Sequence, residues 1–102
     1  MTNADLKIAY KIYNKKYFHN KLPHDMVVHF TKMEMLGATH FYGKRPCWIV
    51  INKKLRWSAS LAVMTLVHEM VHVELVNVGG HGAPFQKRML QLAKGGAFNK
   101  LW

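Results

Sequence analysis

Acidic residues are scarce in this sequence: five Asp and Glu among 102 residues, against fifteen Lys and Arg, for a net charge of +10. No Asp or Glu follows Glu74, which excludes a carboxylate metal ligand from the last quarter of the chain. Cysteine is scarcer still. Cys47 stands alone, so no internal disulfide and no Cys-rich zinc ribbon can form, and a reducing compartment is expected. Long apolar runs are missing too, because Glu69 and its neighbouring histidines interrupt the longest one, and no membrane span is expected. The opening MTNADLKIAYK lacks the basic-then-apolar layout of a secretory signal. A cytoplasmic, nucleic-acid-associated protein is the expectation. With no repeats, low-complexity tracts or visible linker, residues 1–102 read as one globular domain with a modest core, and as a monomer.

What is present in abundance is apolar residues, concentrated in LAVMTLVHEMVHVELV, residues 61–76. This segment reads as one helix carrying H-E-x-x-H as His68, Glu69 and His72. Histidines four apart lie one above the other on a helical face, so both imidazoles can reach one metal ion. Glu69, beside the first of them, can accept a proton from an attacking water. Nearly all other residues of the helix are apolar, so it should be buried, and buried His and Glu need partners. A zinc ion would serve all three.

Elimination supplies the third ligand. After His72 the only histidine is His81, in GGHGAPF, far enough along to finish the helix and turn back. Gly79, Gly80 and Gly82 permit the left-handed conformations such a turn uses. Glu74, two residues past His72, points to the other side of the helix. Three nitrogen ligands with an open fourth position form the pattern of a catalytic rather than a structural zinc.

HEMVH followed by GHGAPF resembles the SprT-like metalloprotease domain, the domain of Spartan-type proteases. Tyr10, Tyr13-Asn14 and Tyr17-Phe18 leading to Leu22-Pro23 are similar to that family's aromatic first helix. Leu36-Gly37, Ile49, Ile51-Asn52 and Leu55 also fit, so the likeness runs from about Tyr10 to Leu92. It implies a zincin-like fold, with substrate along an edge strand beside the zinc. It also implies cleavage of proteins bound or crosslinked to DNA, stimulated by DNA. Glu74 departs from the pattern, standing where many such motifs are hydrophobic.

The remaining elements read as an α+β layout. Thr2 and Asp5 form a capping pair opening a helix from Asn3 to Phe18, with Leu6, Ala9, Tyr10, Tyr13 and Tyr17 inward. Strands are expected at Met26–Thr31, Ala38–Tyr42 and Cys47–Asn52, as a small three-stranded antiparallel sheet. Ser58 or Ser60 caps the central helix. Pro84 opens a last helix that packs through Phe85, Met89 and Leu92 and stops at Gly95-Gly96. The tail from Ala97 carries no signal. His19, His24, His29 and His40 read as solvated or hydrogen-bonded surface residues, and Cys47 as a packed residue.

The net charge points to a polyanion, with single-stranded DNA favoured. Two basic-aromatic surfaces are candidates: Lys44, Arg45 and Trp48 with Phe41 and Tyr42, and Lys53, Lys54, Arg56 and Trp57. Cations there would engage phosphates and aromatics would stack on bases. The expected reaction is peptide hydrolysis by one zinc on His68, His72 and His81 with Glu69 as general base, and a second oxyanion donor from Tyr, His or Arg. The alternatives are a non-catalytic, zinc-stabilised DNA- or protein-binding module, or a nuclease. One glutamate among histidines suits a single zinc better than the oxygen-rich two-metal sites common in nucleases.

Overall fold

The computed structural model describes residues 1–76 and 80–99; Gly79 and the end of the tail, residues 100–102, lie outside them. Helix α1 spans Asn3–Tyr17. The Thr2 hydroxyl accepts from the Asp5 backbone N–H, and the Asp5 carboxylate accepts from that of Thr2. Leu6 and Tyr10 face the core, joined by a polar residue the periodicity does not flag, Asn14. Its side chain donates to the Leu22 carbonyl and accepts from the Leu22 N–H, both at 3.1 Å. Asn14 thereby satisfies the backbone of the turn that follows, where His19 and Asn20 take left-handed φ values of 53° and 60°.

Strands β1 (Val27–Thr31), β2 (Gly37–Tyr42) and β3 (Arg45–Asn52) form one sheet in the order β1-β3-β2. β2 and β3 are an antiparallel hairpin turning at Gly43, whose φ is 63°. β1, however, runs parallel to β3, so the sheet is mixed and not the antiparallel sheet expected. Alternation reveals a strand and its inner face but not its neighbour or direction, because both ladder types bury the same alternate residues. The crossover between β1 and β2 is held by the buried Asn52. Its amide donates to the carbonyls of Met33 and Met35, at 2.9 and 3.0 Å, and its backbone N–H donates to that of Leu36.

A short 3-10 helix, Lys53–Trp57, leads into helix α2, Ala59–Glu74, capped by the Ser58 hydroxyl. Ala62, Val63, Leu66, Val67, Met70, Val71 and Val73 are buried between the sheet and the other helices. Each large side chain so buried contributes roughly 1.5–3 kcal/mol. Helix α3, Ala83–Lys94, has Pro84 in its first turn and presents Phe85 and Leu92 to the core, while Gly95 caps its end. Ala97 and Phe98 then fold back as buried members of the same cluster, so the start of the tail is structural after all. No helix among the described residues is long and apolar enough to cross a membrane.

Gly37, the first residue of β2, packs tightly against α2. A Cβ there would lie 2.8 Å from Thr65 Cγ2 and 3.3 Å from the Val50 carbonyl oxygen. Thr65 is β-branched, with its hydroxyl donating to the Leu61 carbonyl at 2.8 Å, so its methyl has little freedom to yield. Gly37→Ala is expected to cost about 1–3 kcal/mol, read as a lower midpoint in denaturant unfolding.

Candidate metal centre

His68 and His72 project from one face of α2, and the loop before α3 returns His81 to meet them. Their Nε2 atoms lie 3.1 Å (His68–His81), 3.3 Å (His68–His72) and 3.0 Å (His72–His81) apart. In a tetrahedral zinc site with bonds of about 2.0–2.1 Å, ligand atoms are separated by about 3.3 Å. Three imidazole nitrogens converging at that spacing fit such an ion, and the group can hold a metal.

The loop and α3 explain how His81 arrives. Gly80 takes a left-handed φ of 66°, while Gly82 does not, serving instead as the extended residue that precedes α3. The Gln86 amide donates to the His81 carbonyl at 3.0 Å. Phe85, buried beneath, touches all three imidazoles, with ring centroids 4.7–4.9 Å from each. The aromatic of GHGAPF therefore supports the histidines directly.

Glu74 pairs with Arg88 of α3 at 2.6 Å. Arg88 also donates to the Tyr17 carbonyl at 2.6 Å and lies over the Phe18 ring, so the departure at position 74 ties the end of α2 to α3 and α1.

Glu69 is 6% exposed. Its Oε2 stands 4.0 Å from His68 Nε2, and its Oε1 accepts a hydrogen bond from Thr39 at 3.0 Å. Burial raises the Glu69 carboxyl above the ordinary range, and the Thr39 hydrogen bond opposes that rise. Thr39, a β2 residue opposite the helix, is the contact the linear sequence does not reveal, since no spacing links it to the motif. Thr39→Val, which keeps the shape and removes the donor, is expected to lower turnover about 10–100-fold with metal content unchanged, and Thr39→Ser to restore most of it. Steady-state rates alongside metal analysis check this.

Burial, and next the neighbouring imidazoles of His72 and His81, push His68 down to about 4; burial and His81 also lower His72. Between the ordinary value of 6.5 and about 4, the unfolded chain holds a proton on His68 that the folded chain does not. Stability therefore falls as pH drops through that window. Glu69 acts in the opposite sense, but as one carboxyl against two imidazoles. The metal-free protein is expected to melt at a lower temperature at pH 5 than at pH 7, measured by thermal unfolding in chelator.

Two hollows flank the histidines, one lined by Thr39, Phe41, Glu69, His72, Val76 and Gly80, the other larger and apolar. Neither is lined by a described Tyr or Arg, so no second oxyanion donor of those types stands in their walls.

Of the residues in the two basic-aromatic clusters, Phe41 alone lines a hollow beside the histidines. On the β2–β3 hairpin Tyr42 is 83% exposed, Trp48 stacks on His40, and Arg45 pairs loosely with Asp25. On the 3-10 helix Trp57 is 81% exposed, with the Arg56 guanidinium 4.7 Å over its ring. Lys32, Lys53, Lys54, Arg56 and Trp57 share one hollow there. These aromatics are surface residues, not core. Of the remaining histidines, His19, His24 and His40 are exposed as expected, but His29 is half-buried with Nε2 lacking a partner among the described residues.

An α+β domain whose central helix and following loop bring His68, His72 and His81 together is one that can hold a metal ion. The chain belongs to the SprT-like family, whose model matches residues 6–100. No curated protein and no solved structure matches it.

Proposed function

We propose that this protein is a zinc-dependent metalloendopeptidase that cleaves proteins bound or crosslinked to DNA, in a DNA-stimulated manner. The observation that carries the reading is the buried carboxylate of Glu69 set 4.0 Å from one of three converging imidazoles, at the wall of an open cleft. His68, His72 and His81 would hold one zinc, which would supply Lewis acidity toward a water and toward the substrate carbonyl. Glu69 takes the proton of the attacking water and delivers it to the leaving amine. Thr39 holds Oε1 so that Oε2 faces the histidines. Burial makes Glu69 a stronger base than an exposed carboxylate, and Phe85 keeps the imidazoles from turning away.

The DNA part of the proposal rests on the net charge of +10 and on exposed Trp57 beside Lys53, Lys54 and Arg56. Phosphates would meet the cations of that hollow and an unpaired base would stack on Trp57. Lys44, Arg45 and Trp48 on the hairpin offer a second contact.

The test incubates zinc-loaded protein with a DNA-crosslinked protein substrate, with and without single-stranded DNA and with chelator. Many cleavages per molecule, lost in chelator and raised by DNA at low salt, are expected. Metal binding without turnover would instead favour the non-catalytic binding module, and DNA-independent rates would remove DNA from the reading.

A further inference from the structure

The larger hollow beside the histidines, of about 990 Å³, lies between the start of β2, helix α2 and helix α3. Met35, Leu36, Leu61, Met64, Met89 and Leu90 line it, and His68, Glu69 and His81 share its wall. Four of these side chains are well exposed: Met35 and Leu36 at 63%, Leu61 at 51% and Leu90 at 55%. Large apolar side chains gathered around one cavity and left in water mark a surface that something else covers.

The occupant can be read from charge and continuity. Fifteen cations decorate this chain, yet no described Lys or Arg lines this cleft, whereas Lys32, Lys53, Lys54 and Arg56 line the hollow by Trp57. The cleft is continuous with Glu69 and His81, so whatever fills it lies against the proposed reacting centre. β2 is an edge strand whose first residue, Gly37, lines the cleft, and an edge strand offers unpaired backbone groups to an extended peptide. The flexible thioethers of Met35, Met64 and Met89 can adapt to side chains of differing shape.

We propose that this cleft is the side-chain subsite of the peptidase, and that it selects polypeptide segments carrying a bulky apolar residue beside the scissile bond. This rests on the peptidase reading above.

The experiment uses zinc-loaded protein and quenched fluorescent peptides of one sequence, varied to Leu, Phe, Ala or Asp at single positions on either side of the cleaved bond. The Leu or Phe peptide should be cut with a kcat/KM at least about tenfold above the Ala peptide at one of these positions. Leu61→Asp and Leu90→Asp, both at exposed sites, should collapse that ratio toward one with zinc content intact, while Ile8→Asp on exposed α1 should preserve it. In parallel, binding of labelled Leu and Ala peptides to zinc-loaded Glu69→Gln is followed by anisotropy, where the same preference is expected. Cleavage without discrimination in either arm overturns the subsite and leaves the peptidase standing. Discrimination in binding with no cleavage by the wild type supports the subsite and overturns the peptidase. Equal or absent binding of both peptides without cleavage overturns the subsite. So does a dimer that Leu61→Asp dissociates and the Leu peptide does not, because the cleft would then belong to a second copy of the chain.

Discussion

Glu69→Gln is expected to lower cleavage by at least about 10²–10⁴-fold while leaving metal content and fold unchanged. The substitution is nearly isosteric, and a Gln carbonyl can still accept the hydrogen bond that Thr39 donates to Oε1 at 3.0 Å. What disappears is the group able to take a proton from water. A buried carboxylate is also costly to desolvate, so replacing it with a neutral amide should hold or raise the melting temperature. That combination separates a catalytic role from a structural one. Rates, metal analysis and thermal unfolding of the purified variant measure all three, and wild-type activity in the variant would refute the assignment of Glu69 as base.

His72→Ala should do the opposite to the metal. His72 Nε2 is 3.3 Å from that of His68 and 3.0 Å from that of His81, so its removal leaves only two of three nitrogens. Affinity for zinc should fall by more than the roughly 10–100-fold typical of losing a partner outside the coordination sphere, and activity should go with it. In the wild type, zinc at a thousand times its dissociation constant should stabilise the fold by about 4 kcal/mol, seen as a rise in melting temperature. The variant should show little or no rise. His40→Ala, at an exposed ring stacked on Trp48, should respond to zinc as the wild type does. Zinc bound by His72→Ala with undiminished affinity would mean that the coordinating set is a different one.

The parts of this molecule legible in its linear sequence are those set by short-range geometry. The spacing of His68 and His72 needs only the helical repeat. The Thr2–Asp5 capping box, the Ser58 cap, Pro84 at the head of α3 and Gly95 at its end follow from local backbone hydrogen bonding, and each stands where local rules place it. His81 was reachable by counting alone, since no other ligand type remains downstream. The contacts that escaped join residues far apart in the chain. Thr39 meets Glu69 across thirty positions, and Arg88 meets the Tyr17 carbonyl across seventy-one. Asn14 and Asn52 look like ordinary polar residues until the backbone groups they satisfy are brought beside them.

Composition, helical repeat and end-capping chemistry were thus enough to specify three imidazoles, an adjacent carboxylate and a cationic surface. Tertiary folding alone decided that β1 would lie parallel to β3, that Trp57 would face solvent and Phe98 the core, and that a largely apolar cleft would open beside the histidines. A residue's own type limits the bonds it can make, but which partner it meets depends on how distant segments share the burial of apolar surface, and that is a property of the whole chain.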